Sequence, residues 1–212
     1  MFHSIQKVLI LAPHPDDAEF GLGGTLVKLL EMGKEVHVMV FSMCEKSTPV
    51  GFEIGVIEKE MYESLEYLGV SKQNIHAHNF EVREFPALRQ EILEAMVSLN
   101  KQVNPDVVFL PSSSDIHQDH ETIYKEGVRA FKYSSILGYE MPWNNFGFHS
   151  FVYVPLTEYL LKKKTEALKL YKSQLHRPYS NISFLDSLAR LRGTQIKKEL
   201  AESFELIRWI EK

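Results

Sequence analysis

Two short stretches hold the residue types from which a hydrolytic centre can be built. The first is His14-Pro15-Asp16-Asp17, one imidazole and two carboxylates on a segment stiffened by Pro13 and Pro15. The second is Ser112-Ser-Ser-Asp-Ile-His-Gln-Asp-His120, in which His117 and His120 stand three residues apart. A set of two histidines and one carboxylate with open positions is a catalytic zinc site. His14 and Asp17 would supply one nitrogen and one oxygen. His117 and His120, at i and i+3 of a helix start, can face one side. A cation held this way brings the pKa of a water from about 15.7 to about 7. The leftover carboxylate, Asp16, can then take the proton. A spare imidazole, whose pKa is near neutrality, can steady an oxyanion or protonate a leaving nitrogen. Spacing alone leaves open whether His117 or His120 is the ligand, and whether Asp16 and Asp17 exchange roles. Adjacent loop side chains usually point apart, so one ligand and one base is expected rather than two ligands.

Each stretch by itself has an ordinary explanation. A lone His-Pro-Asp-Asp segment is often an Asx turn, and His and Asp often cap and solvate a helix start. What favours chemistry is that both follow apolar runs that read as buried strands, Val8 to Ala12 and Asp106 to Leu110. In an open α/β sheet, ligands bind at the carboxyl ends of strands. The other histidines (His3, His37, His76, His78, His149 and His176) read as ordinary surface or core residues, and Cys44 lies outside both clusters. Gly21-Leu-Gly-Gly24 is not the dinucleotide fingerprint, because no acidic residue ends the second strand. These glycines read as room for a loop to turn and a helix to pack.

The elements that must position the clusters follow from periodicity. Strand 6–12, helix 22–33 closed by Gly33, and strand 35–41 form a βαβ unit, which implies a parallel sheet with a right-handed crossover. A loop at 43–52 follows that strand's end. A helix over 53–68 stops at Gly69, and a short strand covers 74–79. A helix over 86–102 is broken by Asn104-Pro105 and leads to strand 106–110. Helix 118–131, strand 135–140, loop 141–148, strand 151–154 and helices 157–172 and 182–199 complete the pattern. Residues 203–210 are rich in strand formers and are expected to return as an edge strand.

The 212 residues suit one domain over 1–212, with no repeat or linker to divide it. The net charge of -4 offers no basic patch, which sets nucleic acid aside. A single cysteine, Cys44, makes no internal disulfide and points to a reducing compartment. No signal-peptide pattern opens the sequence, and no stretch has the length of a membrane span. The expectation is a soluble, cytoplasmic protein.

The motif Ala12-Pro-His-Pro-Asp-Asp-Ala-Glu19 with Gly23-Gly24-Thr25, followed by His117-Gln-Asp-His120, resembles the LmbE-like or PIG-L family of zinc-dependent N-deacetylases. The resemblance extends to Pro105-Asp-Val-Val-Phe109, Tyr171-Lys-Ser-Gln174, Arg192-Gly193 and Ala201-Glu-Ser-Phe204. It implies a Rossmann-like α/β fold, a three-layer αβα sandwich around a mostly parallel sheet, often assembled into trimers or hexamers. It implies removal of acetyl groups from N-acetylglucosaminyl compounds, with Zn2+ held by His14, Asp17 and His120. Asp16 would be the general base. His117 would stabilise the oxyanion or protonate the amine, and Asp119 would orient His117. Two positions depart from the family pattern. Pro13 replaces the usual Ala, and Ile57 stands where a substrate-contacting Arg is often found. Arg89, Glu140, Trp143, Asn144 and Arg177 are candidate replacements. The version Ile116-His-Gln-Asp-His with Ile136-Leu-Gly-Tyr-Glu-Met-Pro-Trp-Asn resembles the branch near bacterial surface-polysaccharide genes, which implies a sugar or nucleotide-sugar substrate. The aromatic stretch 141–153 could supply an interface for a homo-oligomer. Two rivals share the same residues: hydrolysis of another amide or an ester, and a sugar- or nucleotide-binding module without turnover.

Overall fold

The computed structural model describes residues 2–211. Its centre is a seven-stranded sheet with the order β3-β2-β1-β4-β5-β7-β6. Strands β1 (Lys7–Ala12), β2 (Glu35–Val40), β3 (Ile75–Ala77), β4 (Val107–Pro111) and β5 (Ser135–Tyr139) run parallel. β7 (Leu200–Arg208) lies antiparallel between β5 and β6 (Val152–Leu156). The terminal strand is therefore interior, and β6 takes the edge. Local periodicity marks a strand but does not name its partners, which is why an edge position was expected.

Six α-helices cover the faces among the described residues: α1 (Asp17–Glu31), α2 (Val56–Leu68), α3 (Arg89–Val103), α4 (Gln118–Ala130), α5 (Glu158–Leu168) and α6 (Ile182–Thr194). Alternation along the strands sorts the core into two layers. Val8, Ile10, Val38 and Val40 pack toward α1, α2, α5 and α6. Leu9, Leu11, Met39 and Phe41 pack toward α3 and α4. This is the three-layer α/β sandwich.

The chain winds outward from β1 to β3, then α3 carries it back across the sheet to β4 on the other side of β1. The order reverses between β1 and β4, and at such a switch point the strand ends splay into a crevice. Both polar clusters leave the sheet there.

The three largest boundary differences from the sequence reading are in helices α5, α6 and α1. Helix α5 gives way to short 3-10 turns at Lys172–Gln174 and Pro178–Ser180 instead of continuing to 172. Helix α6 ends at Thr194 rather than 199, because the chain reverses tightly: a Cβ on Gly193 would stand 2.6 Å from the carbonyl oxygen of Glu199. Helix α1 begins at Asp17, five residues before the expected start. It is kinked at Leu22 (φ -153°, ψ 27°), so residues 22–31 form a second half with its own N-terminus. The Glu202 carboxylate on β7 caps that terminus, accepting from the Gly24 and Thr25 N–H groups at 3.1 and 2.7 Å. Lys164 on α5 donates to the freed Phe20 carbonyl at 2.7 Å and pairs with Glu202 at 2.7 Å. These two buried side chains complete each other and the broken helix.

Gly21, Gly23 and Gly24 serve close packing, as expected. Cβ atoms there would lie 2.6, 2.9 and 2.7 Å from Tyr139, Lys164 and Leu156 respectively.

Candidate active site

The turn after β1 and the start of α1 place the first cluster. Pro13 and Pro15 hold the turn, and the His14 N–H donates to Asp17 Oδ2 at 2.8 Å. Asp16 is the N-cap of α1 but its side chain makes no cap bond, so its carboxylate is left for the crevice. Carboxylates at 16, 17 and 19 lie where the helix dipole favours negative charge. The segment beyond β4 places the second cluster. His117 is the N-cap of α4, and its Nδ1 accepts the Asp119 N–H at 3.2 Å. His120 lies one turn into α4 and is buried.

The loops meet. Nδ1 of His14 stands 3.1 Å from Oδ2 of Asp17 and 3.2 Å from Nε2 of His120, and the last two atoms are 3.2 Å apart. The opposite ring nitrogens are engaged elsewhere. His14 Nε2 lies 3.1 Å from Asp119 Oδ2, and His120 Nδ1 lies 2.7 Å from Asp115 Oδ2. Carboxylates fix the protons on those outer nitrogens. Two neutral imidazoles then aim lone pairs at each other and at an anionic oxygen, which is repulsive unless a proton or a cation lies among them. Donors around a tetrahedral zinc, with bonds of about 2.0–2.1 Å, stand about 3.3–3.4 Å apart. The triangle fits a divalent cation with little adjustment. A nitrogen of His117 also comes within 4.8 Å of those of His14 and His120, a looser grouping.

The electrostatics follow from this crowding. Burial favours a neutral Asp17, but the imidazoles of His120 and His14 outweigh it and hold its carboxyl well below the usual range. Burial works against protonation of His120, yet Asp17 and Asp115 push it up to about 10. His14 is raised in the same way, with burial opposed by Asp17 and Asp119. Such proton affinity is what a cation displaces on binding. Burial and the neighbouring Asp17 charge push Asp16 up to about 6, with Arg177 among the groups that oppose the rise. That is close to the operating range of a general base. His117 is lowered by burial and by the two neighbouring imidazoles.

These groups line a cleft of about 250 Å³. Ile57, Trp143, Asn144 and Arg177 reach it, whereas Arg89 and Glu140 do not. Arg89 pairs with Glu126 between α3 and α4, and Glu140 is bound to Arg192. Ile57, only 4% exposed, places an aliphatic wall where the resemblance implied an Arg contact. Cys44 also borders the cleft; burial pushes its thiol up to about 12, so it stays protonated. Asp119 is placed differently from the expectation. Its carboxylate holds His14 and accepts the Arg83 N–H at 2.7 Å, and only its backbone N–H touches His117. Asp115 had no assigned role in the sequence, yet it accepts from both His120 and the His117 N–H, the latter at 2.9 Å. Its position five residues before His120 carries no periodic signal.

The same fold is found among relatives of this chain. The chain belongs to the PIG-L family, described as GlcNAc-PI de-N-acetylase, whose profile matches residues 9–131. It is 32% identical over 144 residues to diacetylchitobiose deacetylase of Thermococcus kodakarensis, a match covering 64% of this chain and 52% of that protein. The chain thus spans about half the length of that relative. It is 30% identical over 173 residues to the Escherichia coli K12 protein named Uncharacterized deacetylase YaiS, covering 78% of this chain and 90% of that one. Among solved structures, N,N'-diacetylchitobiose deacetylase from Pyrococcus horikoshii, complexed with its inhibitor MPG, superposes with a TM-score of 0.84 at 25% identity. That match covers 98% of this chain and 85% of the other.

Proposed function

We propose that this protein is a zinc-dependent N-deacetylase that hydrolyses the acetamide of an N-acetylated amino sugar to a free amine and acetate. The observation that carries the proposal is the triangle of His14 Nδ1, Asp17 Oδ2 and His120 Nε2, with edges of 3.1–3.2 Å, beside a carboxylate poised near pH 6. The names of the relatives, deacetylases of an N-acetylated disaccharide among them, support the substrate class. An N-acetylglucosaminyl compound is the substrate type put forward, a surface-polysaccharide sugar or nucleotide sugar included.

His14, Asp17 and His120 would hold the cation, which when bound supplies Lewis acidity and an acidified water. Asp16 accepts the proton of the attacking water. Because Nδ1 of His117 accepts the Asp119 N–H, the neutral ring carries its proton on Nε2. That proton is available first to the developing oxyanion and then to the leaving nitrogen. Asp119 and Asp115 hold the rings of His14 and His120 in the tautomers that leave the inner nitrogens unprotonated.

Self-association belongs to the same proposal. Phe146 and Phe151, 90% and 68% exposed within the stretch 141–153, are its candidate contacts, and sedimentation of the purified protein tests it.

The deciding assay is acetate release from N-acetylglucosamine and its derivatives, read beside elemental content before and after chelation. Acetate release that disappears on chelation and returns with zinc is expected. No acetate from any N-acetyl sugar by zinc-loaded protein would overturn the reading. Cleavage of esters or other amides in place of the acetamide would redirect it to a different hydrolase.

A further inference from the structure

Arg177 is a cation held ready on the wall of the cleft. It follows α5 between the two 3-10 turns and shares the wall with Asp16, Trp143 and Tyr179. One arm of the guanidinium, Nη1, donates to the Tyr179 hydroxyl, and its Cζ lies 5.7 Å from the Tyr179 ring centroid. That ring is stacked on Trp143, with centroids 4.2 Å apart and planes 13° from parallel. Phe20 meets both rings edge-on at 5.2 and 5.4 Å. Tyr179 therefore holds the guanidinium, and Trp143 and Phe20 hold Tyr179 in turn, so little freedom is lost when it binds.

Among the described residues, the opposite edge of the group, Nε and Nη2, has no partner. Nε is buried without an acceptor, and among the described residues Arg177 forms no ion pair. By contrast, Arg89 and Arg129 pair with Glu126, Arg190 with three carboxylates, and Arg192 with Glu140. Arg83, on the cleft's other rim, spends its guanidinium on Ser47. A buried donor without an acceptor is costly unless a ligand completes it. The Nε and Nη2 edge presents two parallel N–H groups, a match for two oxygens of one anion.

We infer that Arg177 selects amino-sugar substrates that carry an anionic group, a phosphate or a carboxylate, near the acetamide, by binding two of its oxygens along the Nε–Nη2 edge. The inference rests on the deacetylase reading for the sugar but not for the charge. Neutral amino sugars would bind through the remaining contacts only.

Binding to the zinc-loaded Asp16→Asn protein, followed by titration calorimetry, tests this without turnover. The probes are N-acetylglucosamine, N-acetylglucosamine 1-phosphate, and N-acetylglucosamine bearing a carboxymethyl group on its anomeric oxygen. At least one anionic probe should bind about tenfold or more tighter than the neutral sugar, and the better of the two identifies the source of the charge. Adding Arg177→Met should abolish that preference while leaving N-acetylglucosamine within about twofold. Arg177→Lys keeps a charge but lacks the paired N–H edge, and should lose most of the preference. Equal binding of neutral and anionic probes overturns the inference. So does an equal loss for all probes in Arg177→Met, which would mark a support for the aromatic wall, or undiminished selectivity in Arg177→Lys. Charge selection without acetate release by the wild-type protein would keep this inference and sink the deacetylase reading. Acetate release without charge selection would do the reverse.

Discussion

Asp115→Ala separates the support of one candidate ligand from the ligand itself. Asp115 is 4% exposed, and its Oδ2 lies 2.7 Å from Nδ1 of His120. Its Oδ1 accepts the His117 N–H at 2.9 Å. Truncation would leave the imidazole N–H without its acceptor in a dry site and free the ring to turn. A hydrogen bond to a charged group contributes about 1.5–3 kcal/mol, and about 1.4 kcal/mol is a tenfold change in an equilibrium constant. Zinc affinity should therefore fall by about 10–150-fold, in line with the effect of removing other partners of metal ligands. Asp115→Asn keeps an oxygen acceptor without the charge, and should lose about tenfold or less. Competition against a fluorescent chelator of known affinity, at one fixed pH, measures both losses. Thermal melts of the metal-free proteins check that each variant is folded. If folded Asp115→Ala binds zinc within twofold of the wild type, either His120 needs no support from Asp115 or it is not a ligand, and the reasoning fails.

Asp16→Asn should retain the metal and lower kcat by about 10²–10⁴-fold; elemental content and single-turnover rates check the two halves. The base acts only when ionised, so in the wild-type protein kcat/KM should fall as pH drops through about 6 or below, since a bound cation favours the carboxylate further. An acid limb centred above pH 7 would contradict the assignment. Glu19, bonded to Ser64 and Tyr171, is pushed up to about 8 by burial, from an ordinary value of 4.5. The native state holds that proton more tightly than the unfolded chain does. The group's contribution to stability is therefore full below about pH 4.5 and is lost as pH rises through about 8. Denaturant titrations from pH 5 to 9 should show a shallower decline in Glu19→Gln than in the wild type. Gly21→Ala would drive a methyl to 2.6 Å from the Tyr139 ring, whose hydroxyl holds the Leu11 carbonyl of β1. Overpacking of about 1–3 kcal/mol predicts a Tm lower by about 2–12 °C; an unchanged melting curve would contradict the packing.

The strands that carry the clusters were readable because apolar runs buried on both faces end abruptly in proline and polar residues, as at Ala12-Pro13 and Leu110-Pro111. That the two clusters meet was readable from residue type at two strand ends, whereas the choice of His14, Asp17 and His120 within them came from the family resemblance and not from spacing. The start of α1 was not readable. Phe20-Gly-Leu-Gly-Gly24 has poor helix propensity, and the groups that cap the two sides of the break, Lys164 and Glu202, come from distant elements. Asp115 and the true partner of Asp119 were hidden for a related reason. Orientation of an imidazole is decided through space, and Asp119 reaches His14 across 105 residues while touching nearby His117 only through its backbone.

The clamp of Lys164 and Glu202 on the broken helix sets an order of assembly. Gly24 and the carboxylate that caps it are 178 residues apart. A chain emerging from the ribosome would present Asp16 and Asp17 early but could not finish the helix that aims them until β7 was free to insert. Such long-range closure is slow, and the half-built helix would meanwhile expose backbone groups meant for burial. Maturation of the centre would then wait on the synthesis of β7, and a nascent polypeptide released short of residue 202 would carry every candidate zinc ligand yet lack the carboxylate that caps their scaffold.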